Sequence, residues 1–128
     1  MDEKSNSLNW FEIPADDLTR AKKFYEKVFD CKLNPQPDMM GMKMASFPSD
    51  MKSGKVSGGI VQSNMHKPSK TGPVLYLNAE PSIDTVINRV EKAGGQVVMP
   101  KTQITPELGY MAFFIDSEGN KIGLHAQK

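Results

Sequence analysis

Cysteine is nearly missing from this chain: Cys31 is the single one among 128 residues. An internal disulfide and a cysteine-cluster metal site are thereby excluded, and a reducing intracellular setting is the expectation. An excess of one charge is missing too. Sixteen basic side chains stand against fifteen acidic ones, a net charge of +1, which is not the electrostatic footprint of a nucleic-acid binder. No apolar run approaches the ~20 residues that cross a bilayer. The opening "MDEKSNS" is polar and acidic, without the basic flank and apolar stretch of a secretion signal. These absences point to a soluble, cytoplasmic protein that meets neither nucleic acid nor membrane. What is present, 38% hydrophobic residues at this length, suffices for one domain with its own core. A frayed tail is expected over residues 1–6.

Periodicity divides the chain into two similar halves. Leu8 to Pro14 alternates as a strand, and "ADDLTRAKKFYEKVFD" follows as an amphipathic helix with Leu18, Ala21, Phe24, Tyr25, Val28 and Phe29 on one face. Asp16 or Asp17 suits its N-cap. Strands are predicted near Lys32 to Asn34, from Met40 to Phe47 and from Val56 to Gln62, with Pro and Gly in the gaps. After a polar linker the order repeats: a strand from Val74 to Asn78, then a helix with Ile83, Val86, Ile87, Val90 and Ala93 on one face, ended by Gly94 and Gly95. Strands at Gln96 to Met99, Tyr110 to Ile115 and Lys121 to His125 complete the second half. The spacing therefore predicts an α+β fold of two βαβββ modules, 7–63 and 73–126, joined by a linker over 64–72. One helix covers only one face of each sheet, so two such units are expected to shape a cleft with their bare faces.

The stretches "FEIPADDLTRAKKFYEKVF" and "AGGQVVMPKTQITPELGYMAFFIDSEGNKIGLH" resemble the vicinal oxygen chelate superfamily, which includes glyoxalase I, bleomycin-resistance proteins and extradiol dioxygenases. The resemblance runs from Leu8 to His125 and is strongest from Gly109 to Leu124, where "DSEGNKIGL" stands in place of the usual Asp-Pro-Glu-Gly-Asn turn. The nearest subgroup is the small bacterial glyoxalase-related proteins. The resemblance implies curved sheets around a cleft, often completed by a second chain as a homodimer. In metal-dependent members it also implies His and Glu ligands on the first and last strands of each unit. Those positions fall here on Trp10, Gly59, Val74 and Gly123, none of which has a donor side chain. No metal and no other cofactor is therefore expected, and true glyoxalase I activity is not.

Two residues beyond each of those positions, on the same strand faces, stand Glu12, Val61, Tyr76 and His125. If parity and the family pairing both hold, they converge in one cleft with Trp10 as a stacking wall and the two glycines leaving room for a ligand. Glu12 is then the candidate general acid or base, His125 a proton relay and Tyr76 a hydrogen-bond donor to a ligand oxygen. Trp10, Gly59, Val61, Val74, Tyr110 and Gly123 are the candidate ligand-binding positions. The plain alternatives are a solvated strand glutamate, an exposed histidine near the C-terminus, and aromatic side chains spent on core packing.

Other features are read more plainly. Met40, Met42 and Met44 share a strand face, as core, dimer or pocket wall. His66 has no partner in reach by sequence and is read as loop. "ITPELGY" is a candidate flap over the cleft or a simple connection. "AGGQ" ends a helix and so is no phosphate loop, and Cys31 is read as a small buried hydrophobe.

Three functions fit these readings. The leading one is a glyoxalase-related protein with a small organic ligand in a metal-free cleft, with proton-transfer chemistry of the isomerase or lyase kind on a carbonyl compound. The second is sequestration of a drug or metabolite without turnover, as in the bleomycin-resistance branch. The third is a metal centre rebuilt from Glu12 and His125.

Overall fold

In the computed structural model, which describes residues 1–128, each half begins with a strand, sends a helix across one sheet face and returns with three more strands. The first unit comprises β1 (Trp10–Pro14), α1 (Leu18–Phe29), β2 (Asn34–Pro35), β3 (Lys43–Ser46) and β4 (Ser57–Gln62), with a 3₁₀ turn at Met51–Ser53. The second comprises β5 (Tyr76–Asn78), α2 (Ile83–Ala93), β6 (Gln96–Thr105), β7 (Gly109–Ile115) and β8 (Lys121–Ala126). Each unit forms a four-stranded sheet, in the matching orders β1-β4-β3-β2 and β5-β8-β7-β6. The outer pairs β1–β4 and β5–β8 are parallel and the other pairs antiparallel. The α+β class and the repeated βαβββ order hold. No helix is long and apolar enough to cross a membrane.

Capping chemistry sets the helix ends. Asp17 is extended and its carboxylate accepts from the Arg20 backbone N–H, while Asp30 closes α1 in the left-handed region at φ 50°, a conformation short polar side chains tolerate. Gly94 closes α2 at φ 107°. The apolar stripes then turn inward, Ala21, Phe24, Tyr25 and Val28 from α1 and Ile83, Val86 and Val90 from α2. They meet Ile13, Ala45 and Ile60 of the first sheet and Ala112, Phe114, Ile122 and Leu124 of the second in one continuous buried cluster. The helices pack on each other, whereas no strand of one sheet packs on a strand of the other. The face of each sheet away from its helix carries exposed aromatic side chains, Trp10 on the first and Tyr76 on the second.

Two segments differ from their expected form. β6 continues past its expected end to Thr105 and β7 starts at Gly109, so "ITPELGY" is a hairpin, the simple connection of its two readings, with a turn tied by the Leu108 N–H donating to Thr105 Oγ1. Met40 lies in a tight turn with Gly41, at φ 51° and 75°, and not on a strand. Two consecutive left-handed residues suit a two-residue hairpin loop.

The turn "DSEGN" joins the two units. Asp116 is buried and accepts from the Tyr25 hydroxyl at 2.6 Å, from the Glu118 and Asn120 backbone N–H groups, and from Asn120 Nδ2. Burial, and then the adjacent Asp116 charge, push the Tyr25 hydroxyl well above the ordinary phenol range, so it stays a donor. Asn120 Nδ2 also donates to Pro14 O at 2.8 Å. Glu118, with its side chain fully buried, accepts from the Asp16 and Asp17 N–H groups at the head of α1 and holds Arg20 by two hydrogen bonds, at 2.7 and 2.9 Å. A carboxylate against the N-terminal end of a helix is favoured by the helix dipole as well.

That contact predicts a pH dependence. Burial alone pushes the Glu118 carboxyl up, but the hydrogen bonds from Arg20, Asp17 and Ser117 outweigh it and hold the group below the usual carboxylate range. A depressed folded-state value contributes stability that is complete above the unfolded value of about 4.3 and is lost as pH falls through the folded one. Urea unfolding midpoints of Glu118→Gln should lie below wild type at neutral pH and draw level with it as pH falls below about 4. A constant gap down to that pH would remove the Glu118 carboxylate as the source.

Candidate functional site

The open face of the first sheet is set by strand parity. Phe11 and Ile13 turn to the core, so Trp10 and Glu12 point the other way, and Trp10 is 42% exposed. Glu12 pairs in register with Gly59, and a Cβ on Gly59 would meet the Met44 side chain, which places Gly59 and Met44 on the face of Glu12. The Glu12 carboxylate is held at both oxygens. Trp10 Nε1 donates to Oε2 at 3.3 Å, and His66 Nε2 lies 2.8 Å from Oε1. The other ring nitrogen of His66 is 2.6 Å from Ser63 Oγ, which already accepts from the Met65 N–H. The Ser63 hydroxyl proton is then free for Nδ1, which assigns the Nε2 proton to the bond with Glu12. A turn just past β4 thus brings His66 back to the glutamate of the neighbouring strand.

His66 is the residue that sequence reasoning missed. It was expected in a loop without a partner, yet its ring is largely covered and hydrogen-bonded to Glu12. The available signal was the Ser-x-x-His turn directly after the strand that flanks β1.

The second sheet carries Tyr76 and His125 on its own open face. Tyr76 lies over Gly123, where a Cβ would sit 2.7 Å from its ring, and its ring centroid is 5.7 Å from that of Phe113. Antiparallel partners share a face, so the pairs Met111 with His125 and Phe113 with Gly123 belong to the same surface. His125 Nε2 is 2.6 Å from Leu108 O, tying β8 to the β6–β7 turn. Val74 precedes β5 and is exposed.

Several expected placements change. The room over Gly59 is taken by Met44 and that over Gly123 by Tyr76, so neither glycine opens space for a ligand. Val61 is completely buried and offers no surface. Tyr110, expected with the ligand-facing aromatics, packs toward the core with the Lys101 ammonium 4.5 Å from its ring centroid. Met111 and Phe113, of the opposite parity, occupy the open face with their partners His125 and Gly123. The three polar candidates, Glu12, Tyr76 and His125, do not converge within the chain. Glu12 lines a cavity of about 420 Å³ with Trp10, Lys67, Thr71 and Lys121. Tyr76 and His125 line another, of about 520 Å³, with Ile104, Leu108 and Met111. No hydrogen bond joins the two sets.

The donor set also decides how a family-type divalent ion would fare. Trp10, Gly59, Val74 and Gly123 have no ligating side chains, and no three His, Cys, Asp or Glu side chains gather anywhere in the fold. Glu12 with His66 gives two donors, one fewer than the three protein ligands of a typical catalytic zinc site. Glu12 and His125, the pair considered for a rebuilt centre, sit on different sheets with separate partners. These residues do not fit such an ion.

Comparison with known proteins agrees with this architecture. Residues 7–124 match the Glyoxalase/Bleomycin resistance protein/Dioxygenase superfamily. A glyoxylase-like domain-containing protein of Didymella fabae is 31% identical over 117 residues, covering 88% of each chain. CFP32 of Mycobacterium tuberculosis, provisionally named a glyoxylase, is 30% identical over 126 residues, which cover 94% of this chain and 46% of that protein. The chain thus spans about half the length of that relative. The solved glyoxalase I of Leishmania major superposes with a TM-score of 0.70 at 16% identity, over 96% of this chain and 88% of that one. Two βαβββ units with open sheet faces define a vicinal oxygen chelate fold. The chain belongs to the Glyoxalase/Bleomycin resistance protein/Dioxygenase superfamily.

Proposed function

We propose that this protein binds a small carbonyl compound over the open face of its first sheet and that Glu12 moves a proton on it. The observation that carries this reading is the held carboxylate: Trp10 and His66 fix one oxygen each, and each oxygen keeps a lone pair for a ligand proton. Glu12 takes a proton from the carbon next to the carbonyl and returns it to a neighbouring atom, an isomerase or lyase step. His66, held by Ser63, supports the charge on Glu12 as the carboxylate gains and loses its proton. Trp10 supplies an exposed aromatic wall for the ligand body.

The test is exchange of carbon-bound hydrogen in D₂O, followed by NMR over a panel of small 2-oxo and α-hydroxy carbonyl compounds. Wild type is expected to wash deuterium into at least one of them, and Glu12→Gln to slow that exchange by about 100-fold or more with an unchanged circular dichroism spectrum. Exchange at the wild-type rate in Glu12→Gln would remove Glu12 from the chemistry.

A second reading, sequestration without turnover, is favoured by the cavity of about 800 Å³ beside Trp10, larger than the Glu12 cavity. Tight binding with no exchange and no product would select it. We further propose a homodimer, in which a second copy covers the open sheet faces that carry Trp10, Val74 and Tyr76. Light scattering at micromolar concentration should give twice the 14.2 kDa chain mass, and a monomer would contradict it.

A further inference from the structure

The cavity of about 800 Å³ beside Trp10 carries a chemistry that the proton-transfer reading leaves unused. Met39, Met42, Met44 and Met51 line it together with Trp10. Met39 and Met42 flank the Met40–Gly41 turn as a directly opposed antiparallel pair, with backbone hydrogen bonds of 3.1 and 2.9 Å in the two directions. Such a pair holds its Cα atoms about 5.5 Å apart and sends both side chains to one face. Met44 follows Met42 by two residues on the same face, about 7 Å further along. Its sulfur lies over Gly59, 3.3 Å from where a Cβ would be, so a larger residue at Gly59 would displace the thioether. Three long, flexible side chains can therefore bring their sulfurs to one point above β3.

Packing does not account for this arrangement. Met39 is 58% exposed and outside the buried cluster, and Met42 and Met44 are also absent from it. A thioether is neutral and soft and needs no deprotonation to act as a ligand. It selects Cu(I) among biological cations and disfavours Mg²⁺, Ca²⁺ and Mn²⁺, which prefer oxygen. The remaining lining suits a monovalent cation. Asp38 and Asp50 oppose a single Lys55, and an indole face attracts positive charge.

We propose that Met39, Met42 and Met44 form a binding site for a soft monovalent cation of the Cu(I) class, with Trp10 against its open side. An organic ligand that merely wants an adaptable apolar wall needs hydrophobicity from these positions, and leucine supplies that equally well. A soft cation needs the sulfur.

The experiment exploits that difference. The full chain carrying Cys31→Ala, which removes the one competing thiol, is titrated without oxygen with Cu(I) under ascorbate against a chromophoric Cu(I) chelator, and separately with Ag(I). Trp10 is the only tryptophan, so its fluorescence reports on the site alone. One equivalent should bind and quench Trp10, and the ε-methyl NMR signals of Met39, Met42 and Met44 should shift together. Adding Met39→Leu, Met42→Leu and Met44→Leu should weaken binding by about tenfold or more and abolish the quench. Should the triple variant fail to fold, the exposed Met39→Leu alone is expected to weaken binding measurably. Wild-type affinity in either variant, or no stoichiometric uptake by the parent chain, would overturn the site.

Discussion

Asp116→Ala should lower the stability of the whole chain by about 3–5 kcal/mol, which is the scale of leaving several buried hydrogen-bonding groups unpaired. The substitution strips partners from the buried Tyr25 hydroxyl, two backbone N–H groups and the Asn120 amide at once. Tyr25 suffers most, since it is completely buried between the two units with no other partner for its proton. Asn120 would lose its anchor and with it the bond to Pro14 at the end of β1. Because the lost contacts bridge both halves, the loss should appear as one lower transition, with the thermal midpoint down by about 10–20 °C. A midpoint within about 2 °C of wild type would mean that the turn does not hold the two units together. Tyr25→Phe is the matching control: it removes donor and hydroxyl together and should cost less, about 1–2 kcal/mol.

Gly58→Ala should be nearly as damaging, through sterics alone. A Cβ at Gly58 would lie 2.3 Å from the Phe11 backbone oxygen and 2.6 Å from its ring. The conflict is with a backbone atom of the parallel partner strand, so no rotamer change relieves it; β1 and β4 must separate or slide. Overpacking of this severity costs about 3 kcal/mol. Glu12 and Gly59 are adjacent in the same register, so the displacement also pulls the carboxylate from His66 and should weaken ligand binding together with stability. Wild-type urea midpoints in Gly58→Ala would show that the β1–β4 contact is looser than the register implies. Gly41 makes the contrast: its Cβ would meet nothing, and Gly41→Asn, which tolerates left-handed backbone, should change stability little.

Much of this architecture was legible in the sequence because it depends on local period. Alternation placed Trp10 with Glu12 and Tyr76 with Val74, and the 3.6-residue spacing marked the buried faces of both helices. Phase failed where the pattern carried no contrast. "GYMAFFI" is nearly all apolar, so it does not declare which parity faces the core, and Tyr110 fell on the other side. Long-range placement was invisible for a different reason. His66 reaches Glu12 across 54 positions through a turn whose direction only the folded sheet defines. The side chains that fill the space over Gly59 and Gly123 come from neighbouring strands, which a single strand's pattern cannot show. "DSEGN" was recognisable as a turn, yet its carboxylates act on α1 and Tyr25, about 90 to 100 residues away. Within one chain Glu12 lies apart from Tyr76 and His125, because the helices and not the sheets make the contact between the two units.

The central claim is that the Glu12–His66 pair is where a ligand reacts. The most direct measurement is a crystal structure with the carbonyl compound that exchanges fastest in D₂O. The proton-bearing carbon should lie within about 3.5 Å of a Glu12 oxygen, the near-attack range, with the rest of the ligand against Trp10. A ligand seated over Tyr76 and His125, with Glu12 still bonded only to Trp10 and His66, would contradict the account.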